Sequence, residues 1–170
     1  SPVAAMADLQ AWCGAPANSN RCQLKILPGT YDLGATALVM KPFVTVTGSG
    51  PYTTRLRGTG GMNPTSPSLA LVFGADDAEL RSLTIEAASP ADAAIVNDDE
   101  AGSALYKDVL VVARQLPAAI LNRQSSPVFE DVAIDADRTG MRNERATPSL
   151  TDVTITVSNT AAASPGEGMS

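Results

Sequence analysis

Asp108-Val109-Leu110-Val111 recurs as Asp131-Val132-Ala133-Ile134 and again as Asp152-Val153-Thr154-Ile155. The steps between the copies, from Asp108 to Asp131 and from Asp131 to Asp152, are nearly equal. Branched apolar residues occupy every second position of these segments, which is typical of short strands with one buried face. A repeat of this length cannot bury its apolar face alone, so the copies are expected to stack as the coils of a solenoid.

Further columns of residues recur in phase with these strands. An apolar segment ending in asparagine appears between them, and its copies end at Asn97, Asn122 and Asn143. Ser126-Pro127 and Thr147-Pro148 form another column, and Leu83-Thr84-Ile85 extends the first column towards the N-terminus. Pro, Asp and Asn interrupt every place where a helix would form, which excludes helical and leucine-rich repeats. Each repeat is therefore expected to be one coil of short strands.

Residues 1–23 differ from this pattern. Ser1 and Pro2 suit the start of a helix, and apolar residues follow at helical spacing before Gly14, namely Val3, Met6, Leu9 and Trp12. Cys13 and Cys22 flank a short polar loop whose spacing suits a disulfide, worth about 2.5–3 kcal/mol in the chain-entropy model. Such a bond indicates an oxidising compartment, whereas two reduced thiols are the alternative.

Composition excludes several classes of function. The 170 residues suit one domain, and 18 acidic against 12 basic residues give a net charge of −6, so a nucleic-acid partner is not expected. No apolar run is long enough for a membrane span. The chain has no histidine, which excludes general acid–base catalysis by that residue.

Three blocks of sequence resemble a known superfamily. The block from Leu27-Pro28-Gly29-Thr30-Tyr31 to Gly48-Ser49-Gly50, with Thr54-Arg55-Leu56 after it, resembles the opening coils of bacterial pectate-lyase-like β-helix proteins. Asn122-Arg123-Gln124-Ser125-Ser126-Pro127 resembles their repeated coils. The likeness covers the chain from Leu24 to Val157 and implies an all-β, right-handed parallel β-helix with an N-terminal capping α-helix. The repeat gives its coils a length of about 21–26 residues. The handedness rests on the resemblance alone.

The residue patterns and this likeness together predict a domain organisation and a location. Residues 1–23 would form the capping helix and Cys loop, 24–158 the β-helix, and 159–170 a flexible tail or linker. The protein would be secreted, periplasmic or on a bacterial cell surface. Oligomers would form through the coil ends, because an uncapped end exposes strand edges.

Asparagines and acidic residues provide the first candidate sites. Asn97, Asn122 and Asn143 would stack at one corner as a structural ladder, with sugar binding as the alternative. The run Asp98, Asp99 and Glu100 could hold calcium through carboxylate oxygens, with a solvated surface as the alternative. No other cofactor is expected.

The arginines and two aspartates provide candidates for ligand binding or catalysis. Arg114, Arg123, Arg138, Arg142 and Arg145 would line one groove for an acidic or neutral glycan, or would form surface ion pairs between coils. Asp131 recurs and is interpreted as structural. Asp135 and Asp137 do not recur and would share its face, so they are the catalytic candidates, together with Arg123 and Arg142.

The sequence departs from the enzymes of the superfamily. It has no Asp-His pair, no aspartate pair like that of polygalacturonases, and no counterpart of the aspartate-bearing strands of pectin methylesterases. We therefore expect a non-catalytic extracellular module for structural display or for glycan or surface recognition. The alternatives are a small polysaccharide lyase or glycoside hydrolase, and a phage or secretion-system fibre segment.

Overall fold

A computed structural model describes residues 1–98 and 102–158. Two short helices precede the strands, α1 at Pro2–Ala7 and α2 at Leu9–Trp12. The strands are β1 Cys22–Lys25, β2 Gly29–Gly34, β3 Leu38–Val39, β4 Val44–Thr47, β5 Thr54–Gly58, β6 Gly61–Met62, β7 Leu69–Phe73, β8 Glu79–Ala88, β9 Ala93–Asn97, β10 Leu105–Arg114, β11 Ile120–Arg123, β12 Val128–Ala136, β13 Met141–Glu144, β14 Ser149–Thr151 and β15 Thr154–Val157. No described helix is long and apolar enough to cross a membrane.

The strands stack as a parallel solenoid with three faces. Face 1 holds β1, β4, the first parts of β8, β10 and β12, and then β14. Face 2 holds β2, β5, the later parts of β8, β10 and β12, and then β15, while face 3 holds β3, β7, β9, β11 and β13. Val132 lies beside Val109, and Ile155 lies beside Ile134. This register confirms the predicted repeat.

The recurring aspartates form the corner between faces 1 and 2. Asp108, Asp131 and Asp152 have φ of 54°, 52° and 51°, in the left-handed region that Asp tolerates better than most residues. Ser82 occupies the same corner with a φ of 55°. The sequence pattern suggested that Asp131 shares a face with Asp135. It does not, because the left-handed residue turns the chain onto a new face.

Small and branched side chains fill the interior. Tyr106 and Phe129 are the large exceptions, and they stack in adjacent coils with ring centroids 5.0 Å apart. Both are fully buried on face 1. Inward residues of all three faces belong to one continuous core, so each coil is stabilised by its neighbours along the axis.

The N-terminal cap contains two helices where the sequence predicted one. The first helix ends at Ala7 with Asp8 as its C-cap, and the buried Met6 and Leu9 belong to the core of the coil stack. Trp12 is 41% exposed because the break removes it from this apolar stripe, and its Nε1 donates to the Ala5 carbonyl at 2.8 Å. The predicted disulfide is confirmed: it joins the cap to β1, because Cys22 is the first residue of that strand.

One coil is longer than the repeat predicted. Thr45 of β4 lies beside Glu79 of β8, 34 positions later. The excess includes residues 59–68, which we call the strap. Its β6 pairs antiparallel with the start of β7. Gly60 enters this hairpin with a φ of 78°, and a Cβ there would lie 2.8 Å from the Ala70 carbonyl carbon, so only glycine fits.

Candidate functional site

A groove runs along the outer surface of face 3. Its floor is a second apolar cluster that includes Phe73, Val96 and Leu121. These residues alternate along their strands with inward-facing Val72, Ile95 and Ile120, so they point away from the interior core. An outward apolar floor at this position requires a cover, and the strap supplies part of it.

The groove consists of two cavities that share Pro67 and Arg123. The first has a volume of about 330 Å³ and is lined by Asn63, Thr65, Pro67, Phe73, Gly74, Val96, Asp98, Arg123 and Gln124. The second, of about 380 Å³, is lined by Pro67, Ser68, Asp92, Pro117, Ala118, Leu121, Arg123, Arg142 and Glu144. Both cavities combine apolar surface with a similar amount of polar surface.

Arg123 fixes the strap over this floor. Its Nε donates to Asp98 Oδ1 at 2.8 Å, and its Nη2 donates to the hydroxyls of Ser66 at 3.3 Å and Ser68 at 3.1 Å. The side chains of Arg123 and Asp98 are only 22% and 24% exposed. A planar guanidinium with several donors can hold two segments at once, so Arg123 connects β11, the end of β9 and the strap.

The second oxygen of Asp98 lacks a hydrogen-bond partner among the described residues. This atom, Oδ2, is buried. A buried carboxylate oxygen without a partner is costly to the folded protein, and a hydroxyl donor would relieve that cost. Asn63 and Thr65 line the same cavity and add amide and hydroxyl groups.

Charge in the second cavity is balanced. Arg142 Nη2 lies 2.6 Å from Glu144 Oε1, and both side chains are exposed to solvent. Asp92 Oδ2 accepts from the Leu69 amide at 2.8 Å. The groove as a whole therefore contains two arginines and three carboxylates, most of which already neutralise one another.

The remaining catalytic candidates lie on a different face. Arg114 Nη1 donates to Asp135 and Asp137, each at 3.1 Å, on face 2. The hydrogen bond from Arg114 holds the pKa of Asp135 below its usual range, with a smaller lowering from the arginine charge itself. A general acid needs the opposite shift. These contacts favour an ion-pair cluster between coils over a catalytic pair.

The predicted single groove of five arginines therefore divides. Arg123 and Arg142 meet on face 3, whereas Arg114 lies with its aspartates on face 2. Arg145 follows β13 at an exposed corner with a φ of 54°, and Arg138 is exposed in the turn before β13. Of the five arginines, only Arg123 and Arg142 line the face-3 groove.

The predicted calcium site is described only at its first residue. Asp98 is already bonded to Arg123, while Asp99 and Glu100 lie outside the described residues. The part of the chain that the structure describes contains no group of three or more His, Cys, Asp or Glu that could hold a metal ion. Calcium binding by this run stays a prediction.

The three asparagines form a hydrogen-bonded ladder inside the coil stack. Asn97 Nδ2 donates to Asn122 Oδ1 and Asn122 Nδ2 donates to Asn143 Oδ1, both at 2.8 Å. The Tyr106 hydroxyl donates to Asn97 Oδ1 at the other end. Burial raises the pKa of Tyr106 far above its usual value, so this donor stays protonated. Asn97 and Asn122 are inaccessible to solvent, which favours a structural over a sugar-binding interpretation.

The strap and Phe73 were missed by the sequence analysis. Neither recurs in other coils, so a search for repeated columns passes over both. A signal was nevertheless present: the interval between recurring strands is longest here and contains Gly60, Gly61, Pro64 and Pro67. An insertion of this composition in an otherwise regular repeat indicates a functional loop.

Comparison with known proteins identifies the fold class. The protein is a right-handed parallel β-helix, as the resemblance implied, because its solenoid matches solved structures of that fold. One is a pectin methylesterase in complex with a hexasaccharide, at a TM-score of 0.60 and 19% identity, covering 87% of this chain and 50% of that one. Another is pectin methylesterase PemA from Erwinia chrysanthemi, at a TM-score of 0.56 and 18% identity, with the same coverage.

A third match is a variant pectin methylesterase, also in complex with a hexasaccharide, at a TM-score of 0.51 and 15% identity. It covers 88% of this chain and 60% of that one. This chain thus spans about half the length of the first two matches. No family model matches the sequence, and no curated protein does. At these identities the likeness establishes the fold.

Proposed function

We propose that this protein is a non-catalytic, extracytoplasmic β-helix module that binds an oligosaccharide in the face-3 groove. The observation that carries the proposal is the cavity between the strap and β9 to β11, which is lined by Asn63, Asp98 and Arg123. The solved pectin methylesterases of the same fold include complexes with hexasaccharides, which supports an extended sugar as the ligand.

The chemistry of the groove fits a hydroxyl-rich ligand. Sugars offer many hydroxyl donors and acceptors, and the first cavity offers the polar groups of Asn63, Thr65 and Asp98. Because the arginines there are already paired with carboxylates, the groove has little surplus positive charge. We therefore infer a preference for neutral or esterified chains over strongly anionic ones.

The state of the carboxylates supports a non-catalytic role. Glycosidases need one carboxyl group that stays protonated and a second that stays charged. Asp98 and Glu144 are ion-paired with arginines, and Asp92 accepts from a backbone N–H, so all three already serve contacts within the protein. Asp135 and Asp137 share Arg114 in the same way.

The disulfide supports a location outside the cytoplasm. Disulfides persist in secreted, periplasmic and surface proteins and are rare where thiols are kept reduced. The bond between Cys13 and Cys22 fixes the N-terminal cap to β1, where its loss would loosen the end of the stack. We infer a secreted or surface location on this ground.

Isothermal titration with hexasaccharides tests the proposal. Xylohexaose, cellohexaose, hexagalacturonate and its methyl ester would each be titrated into the intact protein. Asn63→Ala should weaken binding of the preferred sugar about fivefold or more, through loss of hydrogen bonds in the cavity. Asn18→Ala, the same change in the Cys loop and away from the groove, should leave affinity unchanged.

Two results would contradict this function. Absence of binding to every hexasaccharide, or equal effects of Asn63→Ala and Asn18→Ala, would remove the groove as a sugar site. Release of shortened, unsaturated or de-esterified products during the titration would instead establish an enzyme. Chromatography of the titrated sugars, before and after incubation, detects all three kinds of product.

A further inference from the structure

The last described coil presents an open end. Among the described residues, its strands β13, β14 and β15 pair only with β11 and β12, and no described strand pairs with their other edges. Leu150, Ile155 and Val157 are 49%, 44% and 45% exposed there, whereas Phe129 and Ile134, one coil earlier in the same columns, are 0% and 2% exposed. A surface of this kind is normally covered.

Strand β13 is self-complementary in an antiparallel pairing. Its sequence places Arg142 and Glu144 on either side of Asn143. If a second copy pairs with it about Asn143, Arg142 of each copy lies opposite Glu144 of the other. Asn143 then faces the second Asn143, and two side-chain amides can exchange hydrogen bonds. Opposite charges directly across an antiparallel pair stabilise it.

The direction of the side chains agrees with this register. Asn143 accepts from inward-facing Asn122, so it points into the stack, while its neighbours Arg142 and Glu144 point outward. A two-fold axis through Asn143 places the inward-facing residues of one copy opposite the inward-facing residues of the other. The same axis places β14 against β15 of the second copy, where Leu150 can lie opposite Ile155.

The other end of the molecule excludes head-to-tail stacking. The helices of the N-terminal cap cover the first coil with Met6 and Leu9, and these residues belong to the core. An open coil end therefore cannot dock onto the capped end of the next molecule. Two open ends can meet, and a two-fold contact closes without forming a fibre.

We propose that the open coil end is a dimer interface, through which two copies pair end to end about a two-fold axis at Asn143. The proposal does not depend on sugar binding, because it concerns the pairing of strand edges, although Arg142 and Glu144 also line the second cavity of the groove.

Sedimentation of the full chain over a concentration series tests the proposal. The expected species has twice the 17.5 kDa mass of the chain. Arg142→Glu or Glu144→Arg alone places like charges opposite each other twice and should weaken the dimer about tenfold or more. Lys41→Glu, an exposed position in the turn before β4, changes the charge as Arg142→Glu does and should leave the dimer intact.

Mixing the two single variants separates this interface from an effect within one chain. A copy with Arg142→Glu carries two acidic residues and a copy with Glu144→Arg carries two basic ones, so the mixture should form a heterodimer although neither variant pairs with itself. Circular dichroism confirms that both variants are folded. A monomeric parent chain at all concentrations, a dimer that tolerates both reversals, or a mixture that stays monomeric would each overturn the proposal.

Discussion

Replacing Asn122 with alanine tests the ladder most directly. Asn122 has no solvent exposure, accepts from Asn97 and donates to Asn143. The substitution leaves the buried Asn97 Nδ2 without its acceptor, which costs about 1–3 kcal/mol. Asn143 is exposed and can bond to water instead, so its loss is small. With the void left by the missing amide, we expect a total of about 2–4 kcal/mol.

Thermal and urea unfolding measure this loss. For a chain of this length the melting temperature should fall by about 5–15 °C. Asn18→Ala is the control, because the same atoms are removed from the Cys loop, outside the ladder. If Asn122→Ala unfolds within about 0.5 kcal/mol of Asn18→Ala, the buried ladder does not stabilise the coils as argued. If it abolishes sugar binding and leaves stability unchanged, the asparagines are ligand-binding residues.

Three further substitutions test other features. Arg114 lowers the pKa of Asp135, so the stabilisation from their contact should be present above the unfolded pKa of about 3.9 and should disappear as the pH falls through the lower folded value. The difference in unfolding free energy between the parent and Asp135→Asn should therefore vanish in acid. A constant difference down to about pH 2 would contradict this. Asp131→Val should destabilise by about 1–2 kcal/mol in urea because a branched side chain is strained at a φ of 52°, while Asp131→Gly should be nearly neutral; equal losses would exclude backbone strain as the cause. Replacing Cys13 and Cys22 together by serine should cost about 2.5–3 kcal/mol, and unchanged unfolding under non-reducing conditions would show that the bond does not stabilise the cap.

The repeat predicted the later coils of the solenoid, from Leu83 onward. Recurrence of the Asp108 and Asn122 columns fixed which residues lie side by side, because parallel stacking without slippage pairs equivalent positions of successive coils. The left-handed backbone of the Asp108 column was not predicted. A recurring aspartate fits a corner as well as a ligand, and only the dihedral angles distinguish the two.

The groove was only partly predictable. The sequence marked both Arg123 and Asp98 as candidate site residues, but their role in holding the strap depends on Ser66 and Ser68, which occur in no other coil. Arg114 was grouped with Arg123 because both lie in neighbouring coils. The corners between strands determine the face on which each arginine lies, and residue spacing does not show where the backbone turns.

The position of the helical cap has a consequence for folding during synthesis. The capping helices and the first coil come earliest in the described chain, so they leave the ribosome or an export channel before later coils do. Each new coil then meets an edge that is already ordered, and only one edge is open at any time. When the coils assemble in this order, only the most recently made coil exposes unpaired strand edges.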